Sequence, residues 1–182
     1  VVVDDQLLVY SGTWSAPSNR SSEEWSTQRN LNEQMGYVAK TADGSIWEGP
    51  IDLPTTKGYY IWRAAACGGI AYLCGRRKRG FVDLENSEEE YPLQESVMLA
   101  SENGIHWRPH ALFQEAFGDE TAFLFDESGH VTALARARAL EMPGQICTAA
   151  PPYTQWERTS VDHNIGGPMI ARWGDDIIGA GR

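Results

Sequence analysis

Short apolar and alternating runs recur along the whole chain, and Gly, Asp, Asn and Pro punctuate them. The pattern predicts strands over 7–12, 35–40, 46–50, 59–67, 70–76, 96–100, 106–113, 121–125, 130–135, 145–149, 155–160, 168–172 and 176–181. Almost nothing carries the 3.6-residue period of a helix. Two long polar stretches, 15–34 and 77–95, read as loops. The run DETAFLFDESGHVTALARAR, 119–138, shows the logic most plainly. An apolar strand meets the turn chemistry of Asp126, Ser128 and Gly129, and a second strand returns. A hairpin brings its two ends together, so Glu120 is expected beside Arg136. On a surface such a pair contributes only ~0–1 kcal/mol; the two residues can equally form half of a polar pocket.

A repeat underlies the strands. Thr41-Ala-Asp-Gly-Ser-Ile-Trp47 and Ser101-Glu-Asn-Gly-Ile-His-Trp107 share one frame, and Trp156 follows a degenerate form of it. This is the chemistry of a hairpin corner. Asp or Asn accepts backbone N–H bonds, Gly adopts positive φ, and Trp covers the corner. Hairpins of a second kind, 59–76, 121–136 and 168–181, alternate with these corners. Each repeat is then four antiparallel strands, and radial repetition of such sheets is a β-propeller. The chain is all-β, with about three and a half blades against the four to eight of a whole ring. Residues 1–182 read as one domain, a partial or half propeller.

Composition narrows the function. The chain has 182 residues, 42% of them hydrophobic, and seven Trp, which is ample for a core. No run approaches the ~18 apolar residues of a membrane span. The opening VVVDDQLLVY has neither the charged start nor the long apolar stretch of a signal peptide, and it lacks an initial Met, as in a processed chain or a fragment. A net charge of −10 disfavours nucleic acid as a partner. The basic run 76–79 reads as a solvated loop offset by Glu88-Glu89-Glu90. Three cysteines without a C-x-x-C pair give no zinc site; they are expected as thiols, with a Cys67–Cys74 bridge across Gly68-Gly69 the less favoured reading. The four His have no metal spacing, and no metal or cofactor is expected.

The corners resemble the Asp-box repeats of the sialidase (neuraminidase) superfamily, in a form one residue shorter than its usual motif. The hairpin from Glu120 to Arg136 is similar to that family's Glu, apolar strand, turn, and apolar strand ending in Arg. Tyr60-Ile-Trp62-Arg63, Pro152-Tyr153-Thr-Gln-Trp156, Gly166-Gly167-Pro168 and Gly179-Ala-Gly181-Arg182 look like further landmarks of sialidase-like glycosidases. The resemblance implies a metal-independent six-bladed propeller. Three Arg hold a sugar carboxylate, a Glu-activated Tyr is the nucleophile, and an Asp is the acid/base. It assigns Glu120 as the catalytic, Tyr-activating Glu and Arg136 as a substrate-binding Arg. Arg63 and Arg182 are candidates for the other arginines, and Tyr153 is a candidate ligand contact. The nucleophile and the acid/base have no assigned counterpart.

Strand order supports a site independently. In a four-strand meander the start of the first strand and the end of the second lie on one face. Glu120, Arg136, Arg182 and Arg76 are expected there, below the two long loops, the usual place for binding. A guanidinium suits a carboxylate. Trp25, in the first loop, is a candidate for stacking on a sugar; Trp14 and Trp173 are expected to pack. The reading is a sialidase-like glycoside hydrolase acting on a carbohydrate with an anionic group. The alternatives are a non-catalytic carbohydrate-binding or scaffold propeller, and an inactive fragment. The first and last hairpins share an apolar, double-Asp, apolar pattern, so a homodimer completing the ring is a further expectation.

Overall fold

The computed structural model describes residues 1–14, 30–84 and 87–182. Among the described residues, fourteen strands form four antiparallel sheets. The first holds β1 (Val2–Val3), β2 (Gln6–Trp14), β3 (Gln34–Thr41) and β4 (Glu48–Leu53). The second holds β5 (Tyr60–Cys67), β6 (Ile70–Lys78), β7 (Gln94–Ser101) and β8 (Arg108–Gln114). The third holds β9 (Gly118–Phe125), β10 (Val131–Ala137), β11 (Gln145–Ala149) and β12 (Glu157–Ser160). A two-stranded sheet, β13 (Met169–Trp173) and β14 (Asp176–Ala180), comes last. Strands within each sheet pair in sequence order. These are the blades of a partial propeller, and the all-β expectation holds.

The second sheet is the middle layer, and its sequence shows why. On β6, Ala71 and Leu73 enter a core shared with Leu8, Val38 and Leu53 of the first sheet. Tyr72 and Cys74, on the opposite face, enter a core shared with Phe123, Val131 and Ala133 of the third. Val97 and Leu99 of β7 divide from Met98 and Ala100 in the same way. A strand buried on both faces reads as a continuous apolar run rather than an alternation. The outer strand β12 is exposed along its length, and so is all of the last sheet except Ile170. Trp173 is among the exposed residues rather than packed.

The corners fold as their chemistry requires. Asp43 Oδ1 accepts the N–H groups of Ser45 at 2.8 Å and Ile46 at 2.9 Å, and Gly44 has φ +75°. Those N–H groups and the Thr41 hydroxyl hold the Asp43 carboxyl below its usual range. Asn103 Oδ1 repeats the pattern with Ile105 and His106. Asp126 does so with Ser128 and His130.

A further expectation fails. The basic run is not a solvated loop, because β6 continues to Lys78. Arg76 and Lys78 point inward and are buried. The Lys78 ammonium, 1% exposed, donates to Glu90 at 2.8 Å and Asp83 at 3.2 Å. Arg77 and Arg79 both bond the Glu95 carboxylate. The opposite charges of Asp83, Glu90 and Glu95 therefore gather over the strand end, and a four-residue helix, α1 (Ser87–Glu90), delivers Glu90. The three cysteines are free thiols. Cys67 lies opposite Ile70, while Cys74 is buried against Ser96. Burial pushes the Cys74 thiol up to about 11.

A buried ion pair that loses one partner leaves an uncompensated charge, which costs about 3–5 kcal/mol. Glu90→Ala leaves Lys78 only Asp83, at 3.2 Å, so it should lower stability to urea by less than that, about 1–3 kcal/mol. The double variant Lys78→Met with Glu90→Leu should recover most of the loss. Equal destabilisation of the single and double variants would mean that the pair contributes through packing alone.

Candidate functional site

The inner ends of the second and third sheets meet at a cluster of charge. Gly118 makes the approach possible, since a Cβ there would lie 2.3 Å from the Ser96 backbone nitrogen. Without one, the start of β9 presses against β7 and carries Asp119 into the gap. Asp119 is fully buried. Its carboxylate bonds the Arg76 guanidinium across the sheet interface and lies 3.6 Å from Arg136 and 3.5 Å from Arg138. Successive strand residues point to opposite faces, so Glu120 turns the other way. Its Oε2 accepts from Arg136 Nη1 at 3.0 Å and from the Gly167 N–H, just before β13, at 3.0 Å. Arg136 reaches both acids because it sits in a bulge between Ala135 and Ala137; bulges re-aim side chains in this way.

Around this pair stand Tyr60, Arg138 and Tyr91. Tyr60 faces Arg76 across β5 and β6, with the guanidinium 4.8 Å from the ring centre. Burial raises the Tyr60 hydroxyl above its usual range, and the Glu120 carboxylate adds to the shift. Arg138 lies over the ring of Tyr91 at 5.2 Å. The cluster therefore sets three guanidinium groups against two carboxylates. The Nε atoms of Arg76, Arg136 and Arg138 are buried without a hydrogen-bond partner. In a chain of net charge −10 this is a local inversion of sign, and it favours an anion.

Glu120 and Arg136 come together as the hairpin register requires. Arg76 shares their face through Asp119. Arg182 pairs its backbone with Gly166 and places its side chain along Gly166-Gly167, next to the N–H that holds Glu120. Arg63 sits apart, exposed on a bulge of β5 between Ile61 and Ala64, with its guanidinium over Trp62. Tyr153 does not join the site. It is buried at the opposite end of the blade among Tyr72, Phe125 and His110, and its hydroxyl donates to the Gly129 carbonyl at 2.9 Å. Trp25 lies outside the described residues. Asp119 and Arg138 were not singled out from sequence. The spacing of Arg136 and Arg138, two apart at the end of β10 and just beyond it, is the signal that could have found the second. Among the described residues no group of three or more His, Cys, Asp or Glu is arranged to hold a metal ion.

No family model and no curated protein matches the chain. Solved structures do. A protein of unknown function from Dyadobacter fermentans superposes with a TM-score of 0.69 at 14% identity, over 96% of this chain and 53% of its own. A Bombyx mori β-fructofuranosidase of glycoside hydrolase family GH32, in complex with sucrose, superposes with a TM-score of 0.61 at 12% identity, over 97% of this chain and 38% of its own. The fold is propeller-like. The chain spans about half, or less, of the length of the structures it matches.

Two measurements test the cluster. Asp119→Ala removes the counter-charge of buried guanidinium groups and should cost about 3–5 kcal/mol of stability; a loss below about 1 kcal/mol, typical of an exposed pair, would place the cluster in solvent. A raised tyrosine pKa adds stability that is complete below the unfolded value near 10 and is lost as pH rises through the folded value. Tyr60 is such a group. Alkaline titration followed by tyrosinate absorbance should show a late-ionising component that Tyr60→Phe diminishes.

Proposed function

We propose that the chain forms part of a sialidase-like β-propeller glycoside hydrolase acting on a carbohydrate with an anionic group. The observation that carries this reading is the excess of guanidinium over carboxylate charge around Glu120, on the face where strand ends converge. Arg136, with Arg182 beside Gly167, would hold the anionic group; a planar fork of N–H donors suits a carboxylate. Glu120 would polarise the attacking group. Tyr60 lies within electrostatic reach of Glu120 and has its hydroxyl held protonated, so it can donate a hydrogen bond to the ligand. Positive charge developing on the sugar ring would be stabilised by carboxylate. A propeller-like fold shared with a β-fructofuranosidase supports a glycosidase at the level of architecture. The single-domain reading of 1–182 belongs to this proposal.

One observation favours a second reading, a binding propeller without turnover. Glycosidases ordinarily use two carboxyl groups flanking the scissile bond. Asp119, the carboxylate next to Glu120, is fully buried under three guanidinium groups and cannot reach a substrate. Glu120 itself is held by Arg136 and Gly167.

The test is a panel of chromogenic glycosides, acidic (sialoside, glucuronide) and neutral, with ligand-observed NMR on the same sugars. The hydrolase reading expects turnover of an acidic member. Glu120→Gln should reduce it by about 10²–10⁴-fold, the usual contribution of a positioned acid or base. Arg136→Met should raise KM for the acidic substrate only. Binding of acidic sugars without turnover would select the second reading. Indifference to both acidic and neutral sugars would overturn both.

A further inference from the structure

The connection from β12 to β13 crosses the end of the third sheet that carries the charge cluster, and Asn164 pins it there. The Asn164 side-chain nitrogen donates to the carbonyls of Ala137 at 3.0 Å, Ala139 at 3.1 Å and Met142 at 2.9 Å. An amide has two hydrogens, so three acceptors around one nitrogen share them. Backbone bonds hold the same crossing: Gly144 donates to the His163 carbonyl at 2.8 Å, and Val161 donates to the Gly144 carbonyl at 2.9 Å. Ile165 packs on Gly144, where a Cβ would come within 3.1 Å of both Ile165 Cγ1 and the Ala135 carbonyl oxygen.

These contacts bear on the candidate site from two directions. Ala137 and Ala139 flank Arg138, whose own N–H donates to the Phe117 carbonyl at 2.7 Å. The backbone that carries the Arg138 guanidinium is therefore held on both sides of its Cα. Three residues beyond Asn164, Gly167 turns the chain at φ +60° and donates its N–H to Glu120 Oε2 at 3.0 Å. Three residues span at most about 10–11 Å. On so short a tether, the place where Asn164 is pinned decides where the Gly167 N–H can reach. Arg136 bonds the same Oε2, and among the described residues no hydrogen bond reaches Glu120 Oε1.

We propose that Asn164 is a positioning residue of the candidate site. By fixing the crossing, it holds the Gly167 N–H on one carboxylate oxygen of Glu120, leaves the other oxygen for the ligand, and sets both at a fixed distance from the Arg138 backbone. Asn164 touches no ligand in this scheme and acts only through Gly167 and the carbonyls beside Arg138. Its effect on turnover rests on the hydrolase reading; its hold on Glu120 does not.

The first measurement is amide hydrogen exchange at Gly167 in the 182-residue chain. Glu120→Ala removes the acceptor and should speed exchange there by about tenfold or more. Asn164→Ala should do the same with Glu120 still in place, while the amides of the β9–β10 ladder keep their protection. A Gly167 rate in Asn164→Ala within about twofold of the unmodified chain would overturn the proposal. So would a Gly167 rate that Glu120→Ala leaves unchanged. Native-state exchange in low urea needs no variant and decides the matter should Asn164→Ala not fold. The Asn164 side-chain amide and the Gly167 amide should open with one urea dependence; Gly167 opening while the Asn164 amide stays protected overturns the proposal. The second measurement is a double-mutant cycle on an acidic glycoside. Asn164→Ala should lower kcat by about tenfold to a hundredfold when Glu120 is present. In the Glu120→Gln background it should lower kcat by less than about twofold, since it acts through that carboxylate. Equal factors in both backgrounds would mean that Asn164 supports the fold alone. If the unmodified chain turns over no glycoside, the hydrolase reading falls, and exchange at Gly167 still decides the positioning role.

Discussion

A buried carboxylate among three guanidinium groups is the constraint on which the inner end of the structure depends. Asp119 enters the gap between two sheets because Gly118 has no side chain, and it binds Arg76 of the second sheet while facing Arg136 and Arg138 of the third. Remove the acid and three cations remain in a region shielded from water. Their repulsion, and the cost of burying unpaired charge, would push the sheets apart. With the acid present, the same cations are fixed in place and still outnumber the carboxylates around them. Holding the sheets together and presenting positive charge at the strand ends are thus one arrangement.

Lys78 performs a related task on the loop above. Its ammonium is buried, so Glu90 and Asp83 must come to it. Asp83 in turn accepts from Asn30 at 2.7 Å, and Asn32 donates to the Phe81 carbonyl at 2.7 Å. The connection after β6 is thereby tied to the segment before β3, in the neighbouring sheet. The Tyr91 carbonyl accepts the Phe117 N–H, whose own carbonyl accepts the Arg138 N–H. The loop that carries Glu90 also seats Tyr91 under the Arg138 guanidinium. Order in the loop and order in the charge cluster are therefore coupled through ordinary hydrogen bonds.

Much of this was legible in the sequence where the signal is local. The hairpin of β9 and β10, the corners at Asp43 and Asn103, and the meeting of Glu120 with Arg136 follow from turn chemistry and period-two register. What escaped was decided at a distance. A run of four cations looks solvated until the acids at 83, 90, 95 and 119 are placed around it, and only tertiary structure places them. The aromatic Tyr153 resembled a ligand contact, yet its blade turns it into the core beneath a corner, where a buried hydroxyl finds the Gly129 carbonyl. Asp119 went unnoticed because Glu120, its neighbour, already explained the polar start of the strand.

The two ends of the described chain differ in how their strands are covered, and this bears on what the fold can do. A middle sheet buried on both faces tolerates no polar face, and its strands β6 and β7 are accordingly apolar until they reach the charged end. The last sheet, β13 and β14, exposes nearly every residue, yet Gly167 at its start already clamps Glu120. The first sheet is well packed on its neighbour through Leu8, Val38 and Leu53. A propeller-like ring is stable when each blade is covered by the next and each inner strand is paired. Here the charge cluster supplies that cover between the second and third sheets. Tyr60 faces Arg76 and lines a groove of about 450 Å³ together with Tyr10 and Gly12 of the first sheet, so the tyrosine that borders Glu120 stands between the charge cluster and the first sheet.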